Sequence, residues 1–269
     1  MAWWGKLVGG AFGFVIGGPL GALLGAALGH NFDRGIKSLP DEAAFDAGDQ
    51  ERVQTAFFTA TFAVMGHVAK VDGRVSPEEI RMAEAVMAEM SLTPDMRTTA
   101  IDLFGQGKAP DFDLDAVLTQ FRHECHGRST LILLFIEIQL QGAYADGRLD
   151  AAENALLRRI CGQLGVSEFE YHRLERMVRA KQGLGGGTGG RGRPASTSGV
   201  NSLDAAYDLL GVTAQSSDAE VKRAYRRLLS QHHPDKLVSK GLPEEMMKIA
   251  SQKTHEIRQA YELVKAARR

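Results

Sequence analysis

Residues 221–236 read VKRAYRRLLSQHHPDK, and this stretch decides how the C-terminal quarter of the chain folds. Val221, Ala224, Tyr225, Leu228 and His232 recur at helical spacing and form one inward stripe. Lys222, Arg223, Arg226 and Arg227 place four cations within two turns on the other side. Ser217 and Glu220 stand where a capping box belongs, so the helix starts just after Ser217. Pro234, lacking an N–H, ends it and fixes the loop. The tripeptide His233-Pro234-Asp235 then lies in that loop, eight residues after Tyr225.

Working outward, Leu203, Ala206, Tyr207 and Leu210 give a short apolar face stopped by Gly211. Downstream, a helix from about Glu244 to Lys265 turns Met246, Ala250, Ile257, Ala260, Tyr261 and Val264 inward. These three helices make a module over residues 203–269. Before it, Gly183 to Gly199 reads GLGGGTGGRGRPASTSG, a composition that predicts a flexible linker over 182–202. Arg191 and Arg193 alone do not make a nucleic-acid surface, and no nucleic-acid partner is expected.

The linker divides opposite charges. Residues 30–181 carry 17 basic and 24 acidic side chains, net −7, whereas residues 203–269 carry 12 and 9, net +3. The overall charge of −1 is therefore a cancellation. Hydrophobic residues at 44% exclude a disordered chain, and two cysteines, Cys125 and Cys161, exclude a disulfide scaffold or a four-cysteine zinc module.

The middle region, residues 35–181, reads as helical. Val53, Phe57, Thr61, Val64 and Val68 keep helical spacing, as do Ile80, Ala83, Val86, Met87 and Met90. It is also repeated: AKVDGRVSPEE at 69–79 answers AYADGRLDAAE at 143–153, and Val86, Met90 and Leu92 answer Ile160, Leu164 and Val166. In each copy a glycine, Gly73 or Gly147, suits a helix end. Ser76 with Glu79, and Asp150 with Glu153, then suit the start of the next helix. Asp72 with Glu79 and Asp146 with Glu153 also match the second half of an EF-hand loop, but Val68, Lys70, Gly142 and Tyr144 occupy the earlier ligand positions. Capping is the reading adopted, those four carboxylates are the candidate metal ligands, and no metal or cofactor is expected. His123, Cys125 and His126 cluster without a further ligand group.

At the N-terminus, Leu7 to Gly29 holds 23 residues without a charge. At 1.5 Å per residue they reach roughly 34 Å, enough to cross a membrane as one helix. Trp3 and Trp4 precede it at an interfacial position. Gly9, Gly13, Gly17, Gly21, Gly25 and Gly29 repeat every four residues and form a face on which two such helices could pack as a homodimer. A cleaved signal peptide and a re-entrant or hairpin segment broken at Pro19 are the competing readings.

The C-terminal module resembles the J-domain family through DAAYDLLGV at 204–212, the stretch quoted above, and IRQAYELV at 257–264. The middle resembles the TerB-like helical domains through its repeated Asp-Gly turn. The run HPDKLVSKGLPEEMM at 233–247, with the N-terminal span and the TerB-like middle, is similar to the DjlA-like, membrane-anchored J-domain co-chaperones of bacteria. The resemblance implies an all-α chain: an extracytoplasmic tail (1–6), a transmembrane helix (7–29), a TerB-like domain (35–181), a flexible linker (182–202) and a J domain (203–269). It implies a non-enzyme that stimulates a DnaK-type ATPase at the cytoplasmic face of the inner membrane. The contact residues it implies are Lys222, Arg223, Tyr225, Arg226, Arg227, His233, Pro234, Asp235 and Lys236. The Gly/Phe-rich and CxxCxGxG segments of full-length DnaJ are absent, and a fourth J-domain helix is not expected. The alternative is a membrane scaffold or stress sensor whose TerB-like domain binds a metal or a partner protein.

Overall fold

Two helices that are apolar on nearly every side organise the body. The computed structural model describes residues 17–32, 49–71, 77–90, 92–126, 128–144, 148–185, 198–240, 242–243 and 247–268. Every regular element among them is a helix. In chain order these are α1 (Gly18–Phe32), α2 (Asp49–Val68), α3 (Pro77–Glu89), α4 (Pro94–Gly107), α5 (Leu114–Glu124), α6 (Ser129–Ala143), α7 (Ala151–Leu164), α8 (Glu168–Gly185), α9 (Ser198–Leu210), α10 (Asp218–Gln231), α11 (Pro234–Val238) and α12 (Met247–Ala267).

Helix α2 is the hub, touched by α1, α4, α5, α6 and α7. Its expected stripe of Val53, Phe57, Thr61, Val64 and Val68 is buried. So is almost everything between, because partners cover all its sides. Helix α6, the run STLILLFIEIQLQGA, is the second buried helix. Phe57, Phe121 and Phe135 from α2, α5 and α6 meet edge-on or tilted, with centroids 4.6–6.4 Å apart. Two glycines let α2 and α4 cross backbone to backbone. A Cβ at Gly66 would collide with the Phe104 carbonyl, and one at Gly107 with the Ala63 carbonyl.

The repeat is visible as paired packing. Val86, Met90, Ile160, Leu164 and Val166 are buried, and Leu92 is packed on the same core. At the second copy, Asp150 is the N-cap of α7 in a full capping box: its carboxylate accepts from Ala152 N at 2.7 Å, and Glu153 accepts from Asp150 N at 3.0 Å. Both carboxylates at that turn thus serve the helix start, as the capping reading requires. The corresponding residues Asp72, Gly73, Ser76 and Asp146, Gly147, and the side chain of Glu79, lie outside the described residues.

Of the expected helix over 7–29, residues 7–16 lie outside the described residues. Gly17 and Gly18 both have left-handed backbone, φ +58° and +60°, and α1 begins only there, with Pro19 in its first turn. Leu20, Leu24 and Ala27 are fully buried against α2, α4 and α5. Gln120 of α5 stitches this start in place, accepting from Leu20 N at 2.8 Å and donating to Gly17 O at 2.9 Å. Residues 1–16, including Trp3, Trp4, Gly9 and Gly13, lie outside the described residues. Among the described residues no helix is long and apolar enough to cross a membrane.

The linker boundaries also shift. Helix α8 continues to Gly185 and α9 already begins at Ser198, five residues before its first inward leucine. Gly211, at φ +68°, ends α9 as expected, with Val212 N bonded to Tyr207 O at 3.0 Å.

Candidate functional site

The C-terminal helices α9, α10 and α12 pack on one another around Leu209, Leu210, Val221, Leu228, Ile257 and Val264, all buried. The expected capping box of α10 is present. Glu220 N donates to Ser217 Oγ at 3.3 Å, while Ser217 N and Ser217 Oγ donate to the Glu220 carboxylate at 2.7 and 2.9 Å and hold that carboxyl below its usual range. With the inward stripe satisfied by Val221, Ala224 and Leu228, the remaining side of α10 is free to carry charge. Lys222, Arg223, Arg226 and Arg227 are all exposed. Tyr225 sits at the edge, half-buried and stacked on Tyr261 of α12 at 4.1 Å and 14° between planes.

The tripeptide is not the irregular loop expected from its proline. Helix α10 ends at Gln231, and Pro234 opens a new five-residue helix, α11, as its first residue. Leu237, fully buried, pins that short helix to the core. Leu237 N bonds back to His233 O at 3.1 Å. The side chains of His233 and Asp235 point the other way. Asp235 is 85% exposed and His233 42% exposed, with 3.8 Å between imidazole and carboxylate. Lys236 is held by Ser230 Oγ at 2.6 Å, within reach of the same surface. The cations and the tyrosine edge lie on α10, and Lys236 of α11 reaches back to that helix at Ser230.

Several residues that shape this module were not singled out from sequence. Arg268, past the end of α12, ties the module shut. It donates to Tyr207 Oη at 2.9 Å, to Ser216 O at 2.7 Å and to Asp218 at 2.9 Å. These partners raise its already high pKa. Lys253 of α12 is buried, and its side chain pairs with Glu137 of α6 in the middle domain. The signal was available: Ala250, Lys253, Ile257, Ala260 and Val264 are spaced 3, 4, 3 and 4 apart, which puts a lysine on the inward stripe.

Of the four candidate metal ligands, only the Glu153 side chain lies among the described residues, where it accepts from Asp150 N. Among the described residues no three His, Cys, Asp or Glu could hold a metal ion. Cys125 is fully buried beside His123 and His126, and burial pushes its thiol up to about 12; Cys161 is pushed up to about 12 in the same way.

Three family models match the chain in order: the co-chaperone DjlA transmembrane domain over residues 1–39, tellurite resistance protein TerB over 58–176, and the DnaJ domain over 205–269. Over its whole length the chain is 47% identical to the co-chaperone protein DjlA of Shewanella oneidensis, covering 100% of this chain and 99% of the relative. It is 43% identical to that of Coxiella burnetii, with the same coverage. Against that of Escherichia coli K12 it is 43% identical, covering 98% of each. The chain belongs to the DjlA family of co-chaperones. No solved structure matches it. Membership fixes what the face on α10 and α11 belongs to: a J domain, whose partner is a DnaK-type chaperone, in a chain that associates with the membrane through its N-terminal domain. DjlA relatives are named co-chaperones, not enzymes.

Proposed function

We propose that the J domain binds a DnaK-type chaperone through Lys222, Arg223, Tyr225, Arg226, Arg227, His233, Pro234, Asp235 and Lys236, and stimulates its ATPase. The observation that carries this reading is the outward Asp235 carboxylate on a short helix anchored from below by Leu237, directly after a helix whose exposed side carries four cations. A row of exposed cations steers encounter with an acidic surface and is screened by salt. A single carboxylate at its end supplies a directional contact to a cation on the chaperone. ATP and DnaK are cytoplasmic, so the same reading places residues 30–269 at the cytoplasmic face of the inner membrane and the residues before Leu7 outside. The glycine repeat of Gly9, Gly13, Gly17, Gly21, Gly25 and Gly29 supports a homodimer through the anchor.

Steady-state ATPase of a DnaK-type chaperone, titrated with the full chain in detergent, tests the assignment. The Arg226→Ala, Arg227→Ala double variant is expected to need roughly tenfold more protein for half-maximal stimulation, about 1.4 kcal/mol, with the gap narrowing at high salt. Equal titrations for variant and wild type would contradict it.

A further inference from the structure

The middle domain grips the J domain on both sides of the tripeptide. Immediately before it, His232 is buried, 5% exposed. Immediately after it, Gln50 of α2 donates to Val238 O at 3.3 Å, and Arg128, ahead of α6, donates to Lys240 O at 2.8 Å. Lys240 in turn donates to Thr130 Oγ1 at 2.8 Å. Deeper, Lys253 of α12 and Glu137 of α6 form their ion pair with side chains 4% and 2% exposed. Arg173 of α8 is also buried there, beside Arg227 and Glu137, and its side chain lies against Gly211. Four ionisable groups, two from each domain, are thus withdrawn from water at one junction. Between these grips, His233 and Asp235 stay exposed.

We propose that the TerB-like domain is a docking cradle for the J domain of the same chain, and that it presents the chaperone-binding face in a fixed, outward orientation. A buried ion pair is a poor source of net stability but a strong selector of geometry, because any docked arrangement that misaligns the partners leaves a charge buried alone. Only one register of the J domain on the body brings Lys253 to Glu137 while Lys240 reaches Thr130. The opposite net charges of the two regions draw them together in the same sense. The consequence for binding is preorganisation: α11 is held at Val238 and Lys240 before the chaperone arrives, so less ordering is left for the encounter. This functional half rests on the ATPase reading; the docking itself does not.

The experiment uses the full chain in detergent. Spin labels on Thr119→Cys and Arg258→Cys, both exposed sites, report the distance between body and J domain, while the buried Cys125 and Cys161 stay unlabelled. Wild type is expected to give one narrow distance. Glu137→Lys is expected to broaden it, and Glu137→Lys with Lys253→Glu to restore it. Because a reversed buried charge can harm folding, Arg128→Ala with Lys240→Ala, at the edge of the junction, serves as the milder variant and is expected to broaden the distance as well. Each undocked form should need roughly three- to tenfold more protein for half-maximal ATPase stimulation. A broad distance in wild type, or a narrow one in every variant, overturns the docking. Undocked forms that stimulate at lower concentration than wild type overturn presentation, since the cradle would then restrain the J domain. Distances that behave as expected without any stimulation by wild type would uphold the docking and overturn the ATPase reading instead.

Discussion

Among the described residues, the starts of α7 and α11 both carry an aspartate near a turn, and they use it in opposite ways. At the start of α7, Asp150 and Glu153 direct their carboxylates to backbone N–H groups of their own turn. At the start of α11, the N-cap His233 makes no side-chain cap, and the Asp235 carboxylate is 85% exposed, 3.8 Å from the imidazole of His233. The first arrangement satisfies the chain internally. The second leaves a charge for something outside the chain, on a helix whose other side is locked by Leu237. Acidic residues beside turns are therefore not equivalent evidence of a site; what separates them is where the carboxylate's hydrogen bonds go.

The contrast can be broken from either side. The largest effect is expected from Asp235→Asn, which removes the outward charge and no internal hydrogen bond. Its melting temperature should stay within about 1 °C of wild type, as for a surface change, while chaperone stimulation is lost. A comparable fall in melting temperature would mean that Asp235 serves the fold as Asp150 does.

An intermediate effect is expected from His232, the buried neighbour of the tripeptide. Burial lowers its pKa to about 4, with Glu137, Lys253 and Arg173 as the charges around it. Between pH 6.5 and about 4 the unfolded chain binds a proton there that the folded chain does not, so stability rises with pH across this window and falls as pH is lowered through it. The span corresponds to an order of 3 kcal/mol. Denaturant unfolding of the full chain from pH 7 to pH 4.5 should show this loss, and His232→Leu should flatten it. An unchanged slope in the variant would place the acid sensitivity elsewhere.

The smallest effect belongs to the internally satisfied turn. Asp150→Ala removes a helix N-cap and should lower stability by about 1 kcal/mol, read as a denaturant midpoint shift, with ATPase stimulation unchanged. Loss of stimulation at unchanged stability would assign that turn a partner.

Much of this was legible in the sequence because periodicity and capping are local. The stripe of α2, the repeat and the Ser217–Glu220 box follow from spacing alone, and so does the basic face of α10. What the sequence hid depends on contacts between distant segments. The glycine period carried no sign that α1, which follows left-handed backbone at Gly17 and Gly18, lays Leu20 and Leu24 on the body. Pro234 read as a helix end, whereas a proline is equally suited to a first position, and Leu237 makes the second use worthwhile. Lys253 stood on an inward stripe, but its partner Glu137 lies 116 positions away, beyond any local pattern.

The central claim is that Asp235 is held outward for a DnaK-type chaperone. It is tested most directly by single-turnover ATP hydrolysis by such a chaperone, with saturating full-length chain in lipid vesicles, wild type against Asp235→Asn. Wild type is expected to accelerate turnover, and the asparagine variant, folded and at equal density, to leave it within about twofold of the basal rate, a loss of at least tenfold in stimulation (about 1.4 kcal/mol or more). Acceleration by the variant equal to that of wild type would contradict it.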